Sequence, residues 1–354
     1  MPGNGISCRG MTADGPHIGR PWQSYRLRWK RRYLLGRAIR RRGQLSTEVD
    51  RTAGIRADDI LLFSTMRNEV ARIPHFLAYY RRLGVGHFLV VENDSTDETA
   101  DLLARQPDVS LWRTARSYKA ARFGMDWLTW LQFRFGHGHW SVTVDADELL
   151  TFPHAADGGL NRLTRWLEER SIASFGAVMV DMYPKARLDA GTYRPGDDPV
   201  ASLGWFDADN FFATPRRNMN SQVLRGGVRL RAFFADQPER APTMNKVPLV
   251  HWNRRSAYLS STHVILPPRL NMTDDDAVPS GALLHTKFLP GVSARAREEK
   301  ARGEHFANSS LYLDYYDRLA SGGSLWSKRS REYIGWEQLV ELGLMRPGMY
   351  GPAR

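Results

Sequence analysis

Residues 140–150 read Trp-Ser-Val-Thr-Val-Asp-Ala-Asp-Glu-Leu-Leu, a short apolar run that ends in three carboxylates within four positions. Carboxylates this close together at the end of a strand repel one another unless positive charge lies between them. A hard divalent cation together with a phosphate-bearing ligand supplies such charge. The stretch therefore predicts a site for a metal ion and a phosphate, although Asp145 and Asp147 could also simply end a strand and cap the next segment.

Apolar runs and helical patterns alternate on both sides of this stretch. Runs typical of buried strands cover residues 60–64, 87–91, 109–113 and 177–181, in addition to the run that begins at Trp140. Helical spacing of apolar residues predicts helices at about 70–83, 119–135 and 160–170. This order predicts an α/β fold, with a mostly parallel sheet and helices on both of its faces.

The chain has 354 residues, of which 42% are hydrophobic, enough to bury a substantial core. No apolar run approaches the length that spans a bilayer, and the polar segment 1–14 does not resemble a secretory signal. The single cysteine, Cys8, excludes an intrachain disulfide. Together these features predict a cytoplasmic protein.

The net charge of +12 is distributed unevenly along the chain. Residues 1–43 contain eleven Lys or Arg and one acid, Asp14, a charge of +10 that leaves +2 for the rest. We therefore expect a basic arm over residues 1–58 and a nearly neutral body. Within the arm, residues 26–42 mix cations with Trp29 and other apolar residues. Such a segment could form a helix that lies on an anionic membrane, at the inner face of the plasma membrane, or it could be a disordered, solvated arm. Nucleic acid is not an expected partner, because the charge does not continue into the body.

Polar groups follow three of the predicted strands. They are residues 65–69 after the first strand, 92–94 after the second and 145–147 after the fourth. In sheets of this kind, ligands bind at the carboxyl ends of the strands. A nicotinamide dinucleotide site would need a Gly-rich turn after the first strand, and the sequence has none there.

The polar groups also carry a family resemblance. The succession Thr-Met-Arg-Asn-Glu at 65–69, Val-Val-Glu-Asn-Asp-Ser-Thr-Asp-Glu-Thr at 90–99 and Val-Asp-Ala-Asp-Glu at 144–148 resembles the glycosyltransferase family 2-like enzymes of the GT-A fold. Three later blocks look like those of one bacterial subgroup, at 245–252, 258–263 and 283–288. The resemblance implies a GT-A (Rossmann-like) domain over residues 59–290, followed by a C-terminal helical extension over 291–354.

The resemblance implies a metal-dependent glycosyltransferase, and the habit of the family implies that the transfer is inverting. Such an enzyme moves a sugar from a UDP- or GDP-sugar to a glycan or lipid-linked acceptor, here for cell-surface polysaccharide, with Mn²⁺ or Mg²⁺ neutralising the leaving diphosphate. Carried onto this chain, the D-x-D motif makes Asp147 the direct metal ligand and Asp145 a ribose or metal contact, with Glu148 supporting them.

By the same resemblance, Arg67, Asn68 and Glu69 line the nucleoside pocket and Asp94 reaches the base or ribose. Two of these residues also have ordinary structural explanations. Arg67 could pair with a surface acid, and Asp94 could brace the turn in which it lies.

His285 and Lys287 are two residues apart, so on a strand their side chains would point to the same face. This pairing suits a third metal ligand and a diphosphate contact, and many GT-A enzymes carry a late histidine in that role. A core histidine with a snorkelling lysine is the alternative. His263 and His251 are weaker candidates of the same kind. Arg229 and Arg231 belong either to a loop that closes over phosphates or to a solvated basic hairpin.

An inverting transfer also needs a general base, usually a carboxylate. The candidates downstream of the motif are Asp181, Asp207, Asp209 and Asp236, and spacing does not select among them. We favour Asp207 or Asp209, because they lie in the aromatic segment 205–212 and aromatic faces beside carboxylates suit sugar binding. Ordinary packing also explains such a segment.

Two other functions fit parts of the sequence. The Asp-Ala-Asp-Glu motif could be the nucleophile loop of a phosphatase of the haloacid dehalogenase type, which also uses paired aspartates and magnesium. That loop follows the first core strand and has Thr or Val two positions beyond the second Asp, where this chain has Leu149. The chain could instead be a catalytically silent nucleotide-sugar-binding module held at a membrane by its basic arm.

Overall fold

The computed structural model of the chain describes residues 21–271, 275–302 and 313–353. The expectations that rest on Cys8 and on the segment 1–14 lie outside the described residues. Within them, the chain adopts a mixed α/β fold built around one large central sheet.

Ten α-helices and fifteen strands make up the described part of the chain. The helices are α1 (Pro21–Arg41), α2 (Ile73–Arg82), α3 (Thr99–Ala104), α4 (Met125–Phe135), α5 (Gly159–Glu169), α6 (Pro199–Leu203), α7 (Gly227–Phe233), α8 (Val292–Arg302), α9 (Leu313–Ala320) and α10 (Trp336–Glu341). The strands are β1 (Ser46–Val49), β2 (Ile60–Met66), β3 (Val85–Glu92), β4 (Val109–Arg113), β5 (Trp140–Thr143), β6 (Glu148–Thr151), β7 (Ser174–Asp181), β8 (Trp205–Asp207), β9 (Phe212–Arg216), β10 (Ser221–Arg225), β11 (Asn245–His251), β12 (Ala257–Ser260), β13 (Val264–Leu266), β14 (Gly281–His285) and β15 (Ser330–Glu332).

The central sheet has nine strands in the order β1-β4-β3-β2-β5-β11-β7-β14-β6. The neighbours β4, β3, β2 and β5 are parallel to one another. The parallel pair β7 and β14 points the same way, because it is separated from β5 by one antiparallel strand, β11. Six strands therefore share a direction, whereas β1, β11 and β6 oppose it. The predicted α/β fold with a mostly parallel sheet flanked by helices is confirmed.

Alternate residues of the central strands face opposite sides of the sheet. In β2, Ile60 and Leu62 belong to one hydrophobic core, whereas Leu61 and Phe63 belong to the other. Helices α2, α3 and α5 contribute to the first core, and α4 contributes to the second. Burial on both faces explains why β2 reads as a continuous apolar run.

The helix α1 lies within the segment that was expected to be a basic arm. Its second half packs on the body, where Leu34 is buried in a small core with Ala257 and Leu266, and Ala38 is buried as well. This part of the arm is neither disordered nor wholly solvated. The apolar positions Leu34 and Ala38 are four residues apart, so they lie on one face of the helix and give it a side to bury.

Strand β1 also precedes the boundary expected after residue 58. Ser46 pairs with Arg113 and Thr47 with Trp112, which makes β1 an antiparallel edge strand of the central sheet. The folded body therefore begins before residue 59. The strand was not predicted because it has only four residues, and the first three, Ser46, Thr47 and Glu48, are polar and exposed, so it shows no apolar pattern.

The C-terminal part, expected as a helical extension from residue 291, contains α8, α9 and α10. It also contributes β15, in which Ser330 pairs with Asp207 of β8. Leu319, Leu339 and Leu344 are buried in the main core, so this part of the chain is packed into the body. No helix of the described residues has both the length and the apolar character needed to cross a membrane.

Candidate active site

A cavity of about 920 Å³ lies at the edge where the six co-directional strands end. Its wall includes Met66 at the end of β2, Asn93 after β3 and Asp145 after β5. His285 at the end of β14 completes this edge. The volume is within the range of small-molecule sites, which supports this cavity as the ligand site of the fold.

Strand register brings His285 to the acidic motif. On one side, β14 pairs in parallel with β7, which places His285 opposite Asp181. On the other side it pairs antiparallel with β6, which places His285 opposite Glu148. The backbone N–H of Thr286 donates to the carbonyl of Asp147 at 2.7 Å, so the turn after β5 is attached to the end of β14.

The side chains of Asp147, Glu148 and His285 form a group that could hold a metal ion, with one ligand atom of each residue within 4.8 Å of the others. The His285 Nε2 lies 3.2 Å from the Asp147 Oδ2. The other ring nitrogen, Nδ1, lies 2.6 Å from the Asp181 Oδ1. A carboxylate behind a histidine in this way fixes the orientation of the ring and leaves the outer nitrogen to face the metal position.

The group differs from the predicted metal ligands Asp145, Asp147 and His285, because Glu148 takes the place of Asp145. Lys246 of β11 lies beside Asp145, with its Nζ 3.1 Å from the Asp145 Oδ2. The same ammonium also contacts the Glu148 Oε1. Lys246 thus supplies part of the positive charge that the motif requires, to Asp145 and Glu148 alike.

Burial and these contacts shift the pKa values of the group. Burial lowers the pKa of His285, but the carboxylates of Asp147 and Asp181 outweigh it and raise the value to about 9. Burial opposes ionisation of Asp147, yet His285 and Arg72 hold the pKa of that carboxyl well below its usual range. Burial raises the pKa of Glu148, and Lys246 only partly offsets it. The cluster is therefore a network of interacting charges rather than three independent groups.

The loops after β2 and β3 form one wall of the site. The backbone N–H of Asn68 donates to the Ser95 Oγ at 3.1 Å, and the Asn68 Oδ1 accepts from the Thr96 N–H at 2.8 Å. Arg67 donates to the backbone carbonyl of Asn93 at 3.3 Å. Arg67, Asn68 and Glu69 line the cavity, and their role as a nucleoside wall, which the resemblance implies, stays a prediction.

Asp94 has a different placement from its neighbours in this wall. Its side chain is 64% exposed and contacts Arg67 at 3.6 Å, and it is not part of the cavity lining. The residue adopts a left-handed backbone conformation with φ of 57°. Asp residues tolerate this conformation in turns, so the turn alone accounts for Asp94 in this structure.

The cavity carries an excess of positive charge, with eight Lys and Arg side chains against five carboxylates in its lining. Lys287, Arg72 and Arg295 line it, and the predicted contact of Lys287 with a diphosphate stays a prediction. Arg72 is held by Glu69 at 2.6 Å. Burial, together with the nearby Arg72, lowers the pKa of Arg295 to about 10. An anion placed among these cations would relieve their mutual repulsion.

The favoured catalytic candidates lie outside the cavity lining. Asp207 is buried, with its Oδ2 at 2.6 Å from the Arg231 Nε and its Oδ1 accepting from the hydroxyl of Tyr183. Asp209 is half-exposed and lies 3.9 Å from Arg329. Both carboxylates lie outside the cavity because the segment around them packs into the body through the fully buried Phe206.

The remaining candidates also have defined positions. Asp181 is buried between His285 and Arg229, whose Nε donates to it at 2.7 Å. Arg229 lies on the helix α7 instead of in a loop or hairpin and lines the cavity, whereas Asp236 does not. His263 also lines the cavity and is held by the carbonyl of Asn245 at 2.8 Å.

Six charged residues of the cavity lining were not predicted: Arg72, Lys119, Arg122, Lys246, Arg295 and Glu298. Lys246 lies within the block 245–252, where a lone cation in an apolar strand was the available signal. Arg72 begins the turn that leads into α2, and Arg295 lies on α8, far along the chain. Nothing in the local sequence connects Arg295 with the strand ends, so only the tertiary fold reveals it.

Comparisons with known proteins do not place the chain in a family. Its sequence matches no family model, and no curated protein matches it significantly.

Proposed function

We propose that the chain is a metal-dependent glycosyltransferase of the GT-A type, which transfers a sugar from a nucleotide-sugar donor to an acceptor hydroxyl. The observation that supports this proposal most is the group formed by Asp147, Glu148 and His285 within a positively charged cavity at the strand ends. A divalent ion and a diphosphate need complementary surroundings of this kind.

The chemistry of the group suits Mn²⁺ or Mg²⁺. Carboxylate oxygens are the ligands that these hard cations prefer, and an imidazole nitrogen is compatible with Mn²⁺. Asp147, Glu148 and His285 would hold the ion, with Asp181 orienting the imidazole through its 2.6 Å contact. When bound, the ion supplies charge neutralisation for a leaving diphosphate.

The cations around the group would bind the phosphates of the donor. Arg72 is buried and its Nε has no hydrogen-bond partner among the described residues, so this donor group can serve a ligand. Arg295 and Lys287 line the same cavity. The wall of Arg67, Asn68 and Glu69 would then receive the nucleoside. The acceptor is expected to be a glycan or a lipid-linked sugar.

The assignment of a general base stays a prediction. Asp207 and Asp209 lie outside the cavity lining, so their positions give no support to that role. Asp181 already accepts from His285 and Arg229, which leaves it poorly placed to take a proton from an acceptor.

A panel of UDP- and GDP-sugars with and without Mn²⁺, followed by NMR, tests the proposal. We expect metal-dependent donor turnover in the wild-type protein and a loss of at least about a hundredfold in Asp147→Asn, because a bound metal stabilises developing charge by several kcal/mol. Asp157→Asn is the control, since that carboxylate is partly exposed and lies outside the cavity lining. Wild-type turnover by Asp147→Asn would reject the proposal.

The same preparation distinguishes the two alternatives. Robust hydrolysis of generic phosphomonoesters without transfer from any nucleotide-sugar would favour a phosphatase of the haloacid dehalogenase type. Calorimetry that shows tight, metal-dependent binding of a nucleotide-sugar without turnover would favour a catalytically silent module.

A further inference from the structure

The helix α1 exposes a row of four aromatic side chains, which we call the aromatic row. Trp22, Tyr25, Trp29 and Tyr33 recur at intervals of three and four residues and therefore lie along one face of the helix. Their side chains are 65%, 57%, 51% and 52% exposed. A contiguous apolar surface of this kind on a folded protein marks an interaction site.

The aromatic row points away from the body. The buried Ala38 is nine residues from Trp29, which corresponds to a rotation of about 180° around the helix. On the body side, the buried carboxylate of Asp126 contacts the Arg37 Nε at 2.7 Å and the Arg41 Nε at 3.2 Å. These contacts fix the rotation of α1 about its own axis and thereby keep the aromatic row outward.

Exposed cations flank the aromatic row on both sides. Arg26 and Lys30 lie about 60° and 100° to one side of Trp29, and Arg32 and Arg28 lie at about the same angles on the other side. The sequence of α1 contains eight Lys or Arg and no acidic residue. The outward face therefore combines an apolar strip with two positively charged borders.

We propose that α1 docks the protein on the surface of an anionic phospholipid bilayer. The aromatic row enters the headgroup region, where Trp and Tyr are favoured, and the flanking cations contact the lipid phosphates. Charge complementarity identifies the occupant, because the face carries only positive charge and its apolar strip needs a partner with an apolar interior. This inference is independent of the proposed sugar transfer.

The attachment of α1 also connects the membrane face with the cavity. Asp126 contacts Arg122 at 3.3 Å in addition to its contacts with α1. Arg122 lines the cavity and donates to the carbonyl of Leu259, which lines it as well. Docking through α1 would therefore hold the cavity close to the bilayer.

Co-sedimentation of the full chain with vesicles tests the proposal. We expect binding to vesicles of phosphatidylcholine mixed with phosphatidylglycerol, little binding to phosphatidylcholine alone, and a blue shift of tryptophan emission on binding. Arg28→Gln/Arg32→Gln should weaken partitioning about twenty-five-fold, at about fivefold for each cation. Trp22→Ala/Trp29→Ala should weaken it and reduce the blue shift, because both indole rings leave the apolar strip.

The matched control is Ile334→Ala/Met349→Ala, which removes two side chains that are 79% and 71% exposed outside α1. Its partitioning should equal that of the wild-type protein, and circular dichroism melts should show that every variant is folded. Equal binding to both vesicle types, or wild-type partitioning by the folded Arg and Trp variants, would overturn the proposal. So would binding of single-stranded RNA by the full chain without partitioning into either vesicle.

Discussion

Replacement of Asp181 by Asn is expected to weaken metal binding although Asp181 is not itself a proposed ligand. In the wild-type structure, one carboxylate oxygen of Asp181 lies 2.6 Å from the His285 Nδ1 and the other accepts from the Arg229 Nε at 2.7 Å. Asn offers one acceptor oxygen and one amide donor in the same space. It cannot accept from both neighbours.

The competition between these neighbours sets the size of the effect. Arg229 stays charged, so it forms the stronger bond and takes the amide oxygen. In the wild type, metal binding displaces the proton of Nε2 and leaves the proton of Nδ1 on its contact with Asp181. In the variant the amide N–H faces the His285 Nδ1, which must accept, so the neutral ring keeps its proton on Nε2, the nitrogen that faces Asp147 at 3.2 Å. A protonated Nε2 cannot bind a metal. We therefore expect Mn²⁺ affinity to fall toward the upper end of the roughly 10–100-fold range seen for such supporting groups, about 2.7 kcal/mol.

Loss of stability must be separated from loss of binding. Breaking a buried pair between a carboxylate and a guanidinium costs about 3–5 kcal/mol, so Asp181→Asn should also melt earlier. Asp207→Asn is a close control, because Asp207 is likewise buried and accepts from an arginine, Arg231, at 2.6 Å but lies outside the cavity lining. It should lose stability and keep its affinity for Mn²⁺.

The assay is a titration with Mn²⁺, followed by the electron paramagnetic resonance signal of the free ion, at a temperature where all variants are folded. Wild-type affinity in Asp181→Asn would show that His285 does not bind the ion through Nε2. An equal loss in Asp181→Asn and Asp207→Asn would trace the effect to general destabilisation instead.

Three further predictions concern the fold and its pH dependence. Asp126→Ala should lower the free energy of unfolding, measured by urea titration, by about 3 kcal/mol, because three arginines lose a buried partner. A loss below about 1 kcal/mol would show that α1 is held by apolar packing alone. Gly159→Ala should lower the melting temperature more than Gly138→Ala. Both glycines have a positive φ, but of the two only residue 159 would place a Cβ against backbone, at 2.5 Å from the carbonyl oxygen of Leu83. Burial lowers the pKa of His263 from 6.5 to about 4, so this residue should cost stability as the pH falls from 6.5 toward 4, and His263→Gln should flatten that part of the pH profile of urea unfolding.

The fold and one wall of the cavity were predictable from local sequence for a physical reason. Parallel strands buried on both faces read as apolar runs, and their carboxyl ends share an edge, so residues 67–69 and Asp147 had to converge. The edge strand β1 was missed because it is polar and exposed, and the packing of α1 depends on a buried partner, Asp126, eighty-nine residues from Arg37. The sequence of the aromatic segment around Asp207 showed only that aromatic rings are present. In the structure, the ring of Phe206 is buried in the body.

The identity of the third group beside Asp147 and His285 shows where sequence spacing stops being informative. The family resemblance implied Asp147 as the direct metal ligand and Asp145 as a ribose or metal contact, and it gave Glu148 only a supporting role. The chain, however, leaves β5 at Thr143 and resumes as β6 at Glu148, which replaces strand alternation by a turn. Glu148 then pairs with His285 across β14, and Lys246 of β11 contacts both Glu148 and Asp145. Both partners are about a hundred or more residues away, so the choice between the two carboxylates is made by sheet register and not by the motif.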